Sequence, residues 1–140
     1  MVNKVVTDTS IIIDRKITEL IESDKLKDLE LIVPLAVLDE LQAQASKGRE
    51  PGFIGLDELK RLRVICEAKK IKMRFTGERP SIEDIKLARS GRIDALIRDV
   101  AKSEKGTLYT ADYVQALVAE AEGVSVEYIR PVIKTTGLKF

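Results

Sequence analysis

Histidine is absent from this chain of 140 residues, and that absence excludes a great deal of chemistry. Without it there is no Ser-His or Cys-His nucleophile, no usual zinc site and no commonest general base. Cysteine occurs once, at Cys66, so no internal disulfide can form. Its apolar neighbours Val64 and Ile65 predict a buried thiol in a reducing compartment. Long apolar runs are also missing: residues 11–13 and 29–33 fall far short of the roughly 20 residues that span a bilayer. No signal-peptide pattern opens the chain, so the expectation is a cytoplasmic protein without a membrane segment. Aromatic residues amount to 4%, which leaves base stacking poorly supplied. An excess of one charge is lacking as well. The 24 Lys and Arg against 23 Asp and Glu give a net charge of +1, so any nucleic-acid site must be a local patch.

What is present suits one compact domain. Apolar residues make up 44% and charged residues 34%, enough to offset chain entropy inside and to cover the outside. Short runs rich in β-branched residues, at 4–7, 29–33, 71–75, 107–110 and 125–129, alternate with helical periods at 10–23, 35–47, 53–70, 81–90, 93–103 and 113–121. That alternation predicts an α/β fold with a parallel sheet of about five strands. Core stripes recur at helical spacing through Leu38, Leu41 and Ala45, through Leu59, Leu62 and Cys66, and through Ile93, Ile97, Val100 and Ala101. Residues 48–55 are expected to form a flexible loop. The domain is expected over residues 1–130, with 131–140 as a tail or the start of a linker.

Ligands of an open parallel sheet bind beyond the carboxyl ends of its strands. Asp8 directly follows the first strand, and Asp112 follows the fourth with only Ala111 between. Glu40 lies within two turns of the start of the helix that leaves Pro34, and Asp94 lies in the first turn of its helix beside the stripe carrying Ile97. Four segments therefore deliver carboxylates to one rim. Such acids repel one another at low dielectric and persist together only with protons or cations to neutralise them. Mg2+ or Mn2+, which prefer oxygen ligands and accompany phosphate substrates, are the natural choice. A metal held there supports phosphodiester hydrolysis without histidine.

These residues resemble the PIN-domain family over most of the chain. Residues 5–10, Val-Val-Thr-Asp-Thr-Ser, are similar to its first strand with the following Asp and Thr/Ser. Pro34 through Leu38-Asp39-Glu40-Leu41 is similar to the second motif, Asp94-Ala95-Leu96-Ile97 with Ala101 to the third, and Leu108-Tyr109-Thr110-Ala111-Asp112 to the fourth. The resemblance implies a three-layer α/β/α sandwich with sheet order 3-2-1-4-5. It also implies a metal-dependent ribonuclease with Asp8, Glu40, Asp94 and Asp112 as catalytic, metal-holding acids and Thr9, Ser10 and Thr110 supporting them. Within the family, the long helix from Asp57 and the tail past Pro131 look more like the amino-terminal domain of archaeal PIN ATPases than like the compact VapC toxins, although the chain carries no P-loop and no KH segment. A homo-oligomer, and an ATPase region in a longer natural chain, are the implied partners beside single-stranded RNA.

Each acid also has a plain structural reading. Asp8 and Asp112 suit helix N-caps, Asp94 suits a pair with Arg98 at i+4, and Glu40 suits a solvated acid beside Asp39. Arg92 and Arg98 flank Asp94 and are candidates for an RNA phosphate, as are Lys60 and Arg63 on one helix face; charge runs are otherwise solvated surface. Two other functions compete with the nuclease. One is a catalytically silent PIN-like oligomerisation or interaction module of a larger RNA-processing or ATPase protein. The other is a phosphoacceptor receiver domain, which fits poorly because Asp8 is followed by Thr9 and the third strand ends near Phe75 and Thr76.

Overall fold

Val5, Val6 and Thr7 are buried in succession, the pattern of a central parallel strand covered on both faces. In the computed structural model, which describes residues 2–86 and 90–131, they form β1 (Asn3–Thr7). After it come α1 (Thr9–Ile13), α2 (Lys16–Glu22), β2 (Leu29–Pro34), α3 (Leu35–Ser46), α4 (Glu50–Ala68) and β3 (Lys72–Thr76). The second half holds α5 (Ile82–Lys86), α6 (Ser90–Glu104), β4 (Thr107–Thr110), α7 (Tyr113–Ala121) and β5 (Ser125–Tyr128). All pairings are parallel and the sheet order is β3-β2-β1-β4-β5, with helices packed on both sides. Val6 stands opposite Ile32 on one side and Leu108 on the other. These three side chains are completely buried, each contributing about 2 kcal/mol through lost apolar exposure.

Three local expectations fail for identifiable reasons. The single helix expected over residues 10–23 is broken after Ile13, because Arg15 takes a left-handed backbone with φ of 62°. The expected loop at 48–55 is helical from Glu50 onward. There the two glycines serve close helix packing: a Cβ at Gly52 would lie 2.3 Å from the Ala45 nitrogen, and one at Gly55 would lie 2.4 Å from a δ carbon of Leu41. The helix expected from residue 93 begins at Ser90, which moves Asp94 into its second turn. The helix expected over 81–90 is present as α5 through its described residues Ile82–Lys86, and residues 87–89 lie outside the described residues. So does the tail beyond Pro131.

Sheet register sets the functional edge. Thr7 stands opposite Tyr109, and the Asp8 amide donates to the Tyr109 carbonyl at 3.3 Å. Asp8, Thr110 and Asp112 consequently leave the same end of the two central strands. No helix among the described residues is long and apolar enough to cross a membrane.

Candidate active site

Asp8 is 3% exposed, and both of its oxygens are committed. Oδ1 accepts from the Ser10 hydroxyl at 2.7 Å and the Ile11 amide at 3.1 Å, while Oδ2 accepts from the Thr110 hydroxyl. Those hydroxyls are anchored in turn by the amides of Ala111, donating to Ser10 Oγ, and of Asp112, donating to Thr110 Oγ1, both at 2.9 Å. Each hydroxyl carries one proton and aims it at Asp8, which leaves the 3.4 Å contact between Ser10 and Thr110 without a proton of its own. Burial pushes the Asp8 carboxyl above its ordinary range despite those three donors, and the charge of Asp112 adds to the rise.

Glu40 reaches the same cluster from α3. Its Oε1 accepts from the Thr9 hydroxyl at 2.6 Å, and burial raises its carboxyl. Asp39 instead pairs with Arg79 at 3.1 Å. Asp112 caps α7, accepting from the amides of Val114 at 2.9 Å and Gln115 at 3.2 Å. Asp94 is pushed up to about 6 by burial first, then by the charges of Asp112, Asp8 and Glu40, with Arg98 the opposing charge. All four acids thus lie within electrostatic reach of one another.

The capping readings of Asp8 and Asp112 hold, and capping leaves Asp112 Oδ2 without a bond among the described residues. The pairing of Asp94 with Arg98 does not form. Arg98 turns to Glu122 at 3.0 Å and to the Gln115 amide oxygen at 2.7 Å, and among the described residues the Asp94 carboxyl has neither a hydrogen-bond donor nor an ion-pair partner. An all-oxygen donor set with one unpartnered, partly buried carboxyl fits a hard divalent cation. No three His, Cys, Asp or Glu side chains among the described residues are already gathered as a metal cage.

The other nominated cations are placed as follows. Arg92 reaches Glu78 at 3.6 Å and Asp84 at 3.9 Å. Lys60 is exposed on α4, and the Arg63 guanidinium lies 6.0 Å from the centre of the Phe75 ring. Two contributors escaped the sequence reading. Gln115, 2% exposed, accepts from Arg98 and donates from Nε2 to the Asp94 carbonyl at 3.2 Å, tying α6 to α7; a lone amide within an apolar stripe three residues after Asp112 was the available signal. Tyr113 and Tyr128 meet edge to face with centroids 5.4 Å apart, exposed beside Asp112. Only the tertiary fold brings these two together.

Comparison with known proteins agrees with this geometry. The PIN domain family model matches residues 5–121. An uncharacterized KH and PIN-domain containing protein of Methanocaldococcus jannaschii is 47% identical over 126 residues, which is 90% of this chain and 20% of that protein. The Holliday junction branch migration ATPase PINA of Sulfolobus acidocaldarius is 26% identical over 101 residues, 72% of this chain and 18% of its own length. The chain therefore spans about one fifth of the curated relatives it matches. Among solved structures, a domain of a functionally unknown M. jannaschii protein superposes with a TM-score of 0.88 at 45% identity, covering 94% of each chain. VapBC-1 from nontypeable Haemophilus influenzae shares the fold, with a TM-score of 0.50 at 15% identity over 89% of this chain and 97% of that one. The chain belongs to the PIN domain family, whose members are in general nucleases that use divalent metal ions.

Proposed function

We propose that the chain is a divalent-metal-dependent endoribonuclease hydrolysing phosphodiester bonds of single-stranded RNA. Asp8, Glu40, Asp94 and Asp112 would hold Mg2+ or Mn2+, with Thr9, Ser10 and Thr110 orienting them. The observation carrying this reading is Asp94: a carboxyl held up to about 6 beside three other acids, with no partner of its own among the described residues. A divalent cation stabilises that arrangement far more than any neighbouring side chain does. Bound there, it would make a water more acidic and offset charge on the phosphate. The chain's own part is positioning. Asp8 is held by three donors and cannot turn, Glu40 has one oxygen bonded to Thr9 and the other free of hydrogen bonds among the described residues, and the Asp94 carboxyl is held up to about 6 by burial and the neighbouring acids. Lys60 and Arg63 are available to phosphate because neither has a carboxylate partner among the described residues. Arg92 and Arg98 would have to exchange theirs.

The greater length of the relatives supports a nuclease segment within a larger protein that carries KH or ATPase parts. Tyr113, Val114 and Leu117, exposed together on α7, support self-association. The same surface, with no ready metal cage among the described residues, favours the silent interaction module as the second reading. The test is labelled single-stranded RNA incubated with manganese, with EDTA and Asp94→Asn as controls. Cleavage by the parent chain alone is expected. Cleavage that survives either control points to a contaminant, and no cleavage in any metal, with an unmoved melting temperature on metal addition, leaves the interaction module.

A further inference from the structure

A cavity of about 100 Å³ opens beside the acid cluster, lined by Glu40 and Gln44 from α3, Lys47 capping the end of that helix, Arg49 from the connection to α4, Ile85 from α5 and Ile93 from α6. Glu40, Gln44 and Lys47 follow at steps of four and three residues and share one stripe of α3 and its cap, about 10 Å long. The stripe is acidic where it meets the cluster and basic at its far end.

The two cations have no structural employment. Arg15, Arg61, Arg74, Arg79, Arg92 and Arg98 all meet carboxylates, whereas Lys47 and Arg49 are exposed and have no such partner among the described residues. Arg49 is the N-cap of α4 and makes no side-chain cap bond; it stands at the end of the helix where the dipole disfavours a cation. Neither residue acts on the Glu40 carboxyl, whose shift comes from burial and Thr9, so offsetting the acid cluster is not their role. Their placement is nonetheless firm. The Arg49 amide donates to the Gln44 carbonyl and the Gly48 amide to the Ala45 carbonyl, both at 2.9 Å, and the glycine contacts of α4 lock the two helices together.

We propose that this cleft is a backbone-phosphate subsite for single-stranded RNA. Lys47 and Arg49 take a phosphate flanking the scissile one, and the intervening nucleoside lies against Ile85 and Ile93. The inference rests on the nuclease reading of the acid cluster and supplies what that reading lacks, a pair of free cations contiguous with the acids. Lys contributes a point charge and Arg a planar fork suited to phosphate oxygens.

The test uses the 140-residue chain with a labelled single-stranded oligoribonucleotide, comparing Lys47→Ala/Arg49→Ala with Lys25→Ala/Lys27→Ala, a pair of exposed lysines on the link between α2 and β2. Melting curves check that both variants fold. In manganese, the cleft variant is expected to raise KM about tenfold while kcat changes little, and in an Asp94→Asn background its binding should show a log K against log salt slope shallower by about 0.7, the value for one lost phosphate. Arg49→Lys alone should keep the slope. If the cleft variant keeps the parent KM and slope while the parent cleaves RNA, the subsite is wrong and the nuclease reading stands. An equal loss in the control pair also overturns the subsite, since the effect is then general charge. A parent chain that neither binds nor cuts RNA removes both readings.

Discussion

β1 and α6 each run between two clusters of charge that obey opposite rules. At one end lie Lys4 of β1 and Glu104 of α6, joined by Glu30 and Arg74. Arg74 donates to Glu30 at 2.6 Å and also binds Glu104, while Lys4 reaches Glu104 at 3.5 Å. Its bond to Arg74 holds the Glu104 carboxyl below its ordinary range. At the other end of the same two elements, Asp8 and Asp94 are raised, foremost by burial. Asp8 is bonded by two hydroxyls and an amide rather than by guanidinium groups, and the Asp94 carboxyl has no bonding partner among the described residues. The same residue type is thus a neutralised strut at one end and uncompensated charge at the other. Only the second arrangement stands to gain from an added cation.

The sharpest way to break this contrast is Asp94→Asn, expected to reduce RNA cleavage at least about a hundredfold while raising the melting temperature in EDTA by a few degrees, because like-charge repulsion is relieved. Thermal melts in EDTA set against cleavage rates in manganese read both effects; a drop in melting temperature would return Asp94 to a purely structural role. Arg74→Ala attacks the other end. Leaving Glu30 and Glu104, which are 14% and 18% exposed, with only the longer contacts to Lys72 at 3.9 Å and Lys4 at 3.5 Å should cost about 2 kcal/mol, or about 8 °C in Tm, whether or not metal is present. A melting shift that vanished on adding metal would mean the two ends are not independent. Gln115→Leu removes the tie between α6 and α7 and should cost about 1–2 kcal/mol in urea unfolding, with kcat lowered about tenfold as Asp94 loses its placement.

The smallest effect lies in pH. The native chain binds the Asp94 proton more tightly than the unfolded chain, so the stability from this group is complete below pH 3.8 and is lost as pH rises toward about 6. With solvent screening allowed for, the loss is about 1 kcal/mol. Unfolding free energies measured across that window in EDTA should decline less in Asp94→Asn than in the parent; equal slopes would show that Asp94 does not titrate there.

Much of the architecture was legible because local and global signals agree. β-branched runs became strands, and the four-motif resemblance implied the sheet order that the pairings display. The acids were found because strand direction converts sequence position into spatial position. Where reading failed, the decisive partner was distant in sequence. No glycine or proline marks the break at Arg15, yet its guanidinium faces the buried Glu58 of α4 at 3.8 Å. Residues 47–52, Lys-Gly-Arg-Glu-Pro-Gly, carry turn chemistry, but Pro51 sits at the first turn of α4, where proline is tolerated, and Gly52 packs against α3. The plain structural reading of Asp94, a pair with Arg98 at i+4, rested on a local rule that lost to Glu122 and Gln115 arriving from α7 and its end.

Gly55 has a reach beyond its own helix. The side chain it would strike belongs to Leu41, the fully buried residue immediately after Glu40. A single methyl at 55 would have to displace that leucine or push the helices apart, and either movement would carry the adjoining carboxylate away from Thr9. The spacing between two helices thereby becomes the gauge that sets where one of the four acids stands.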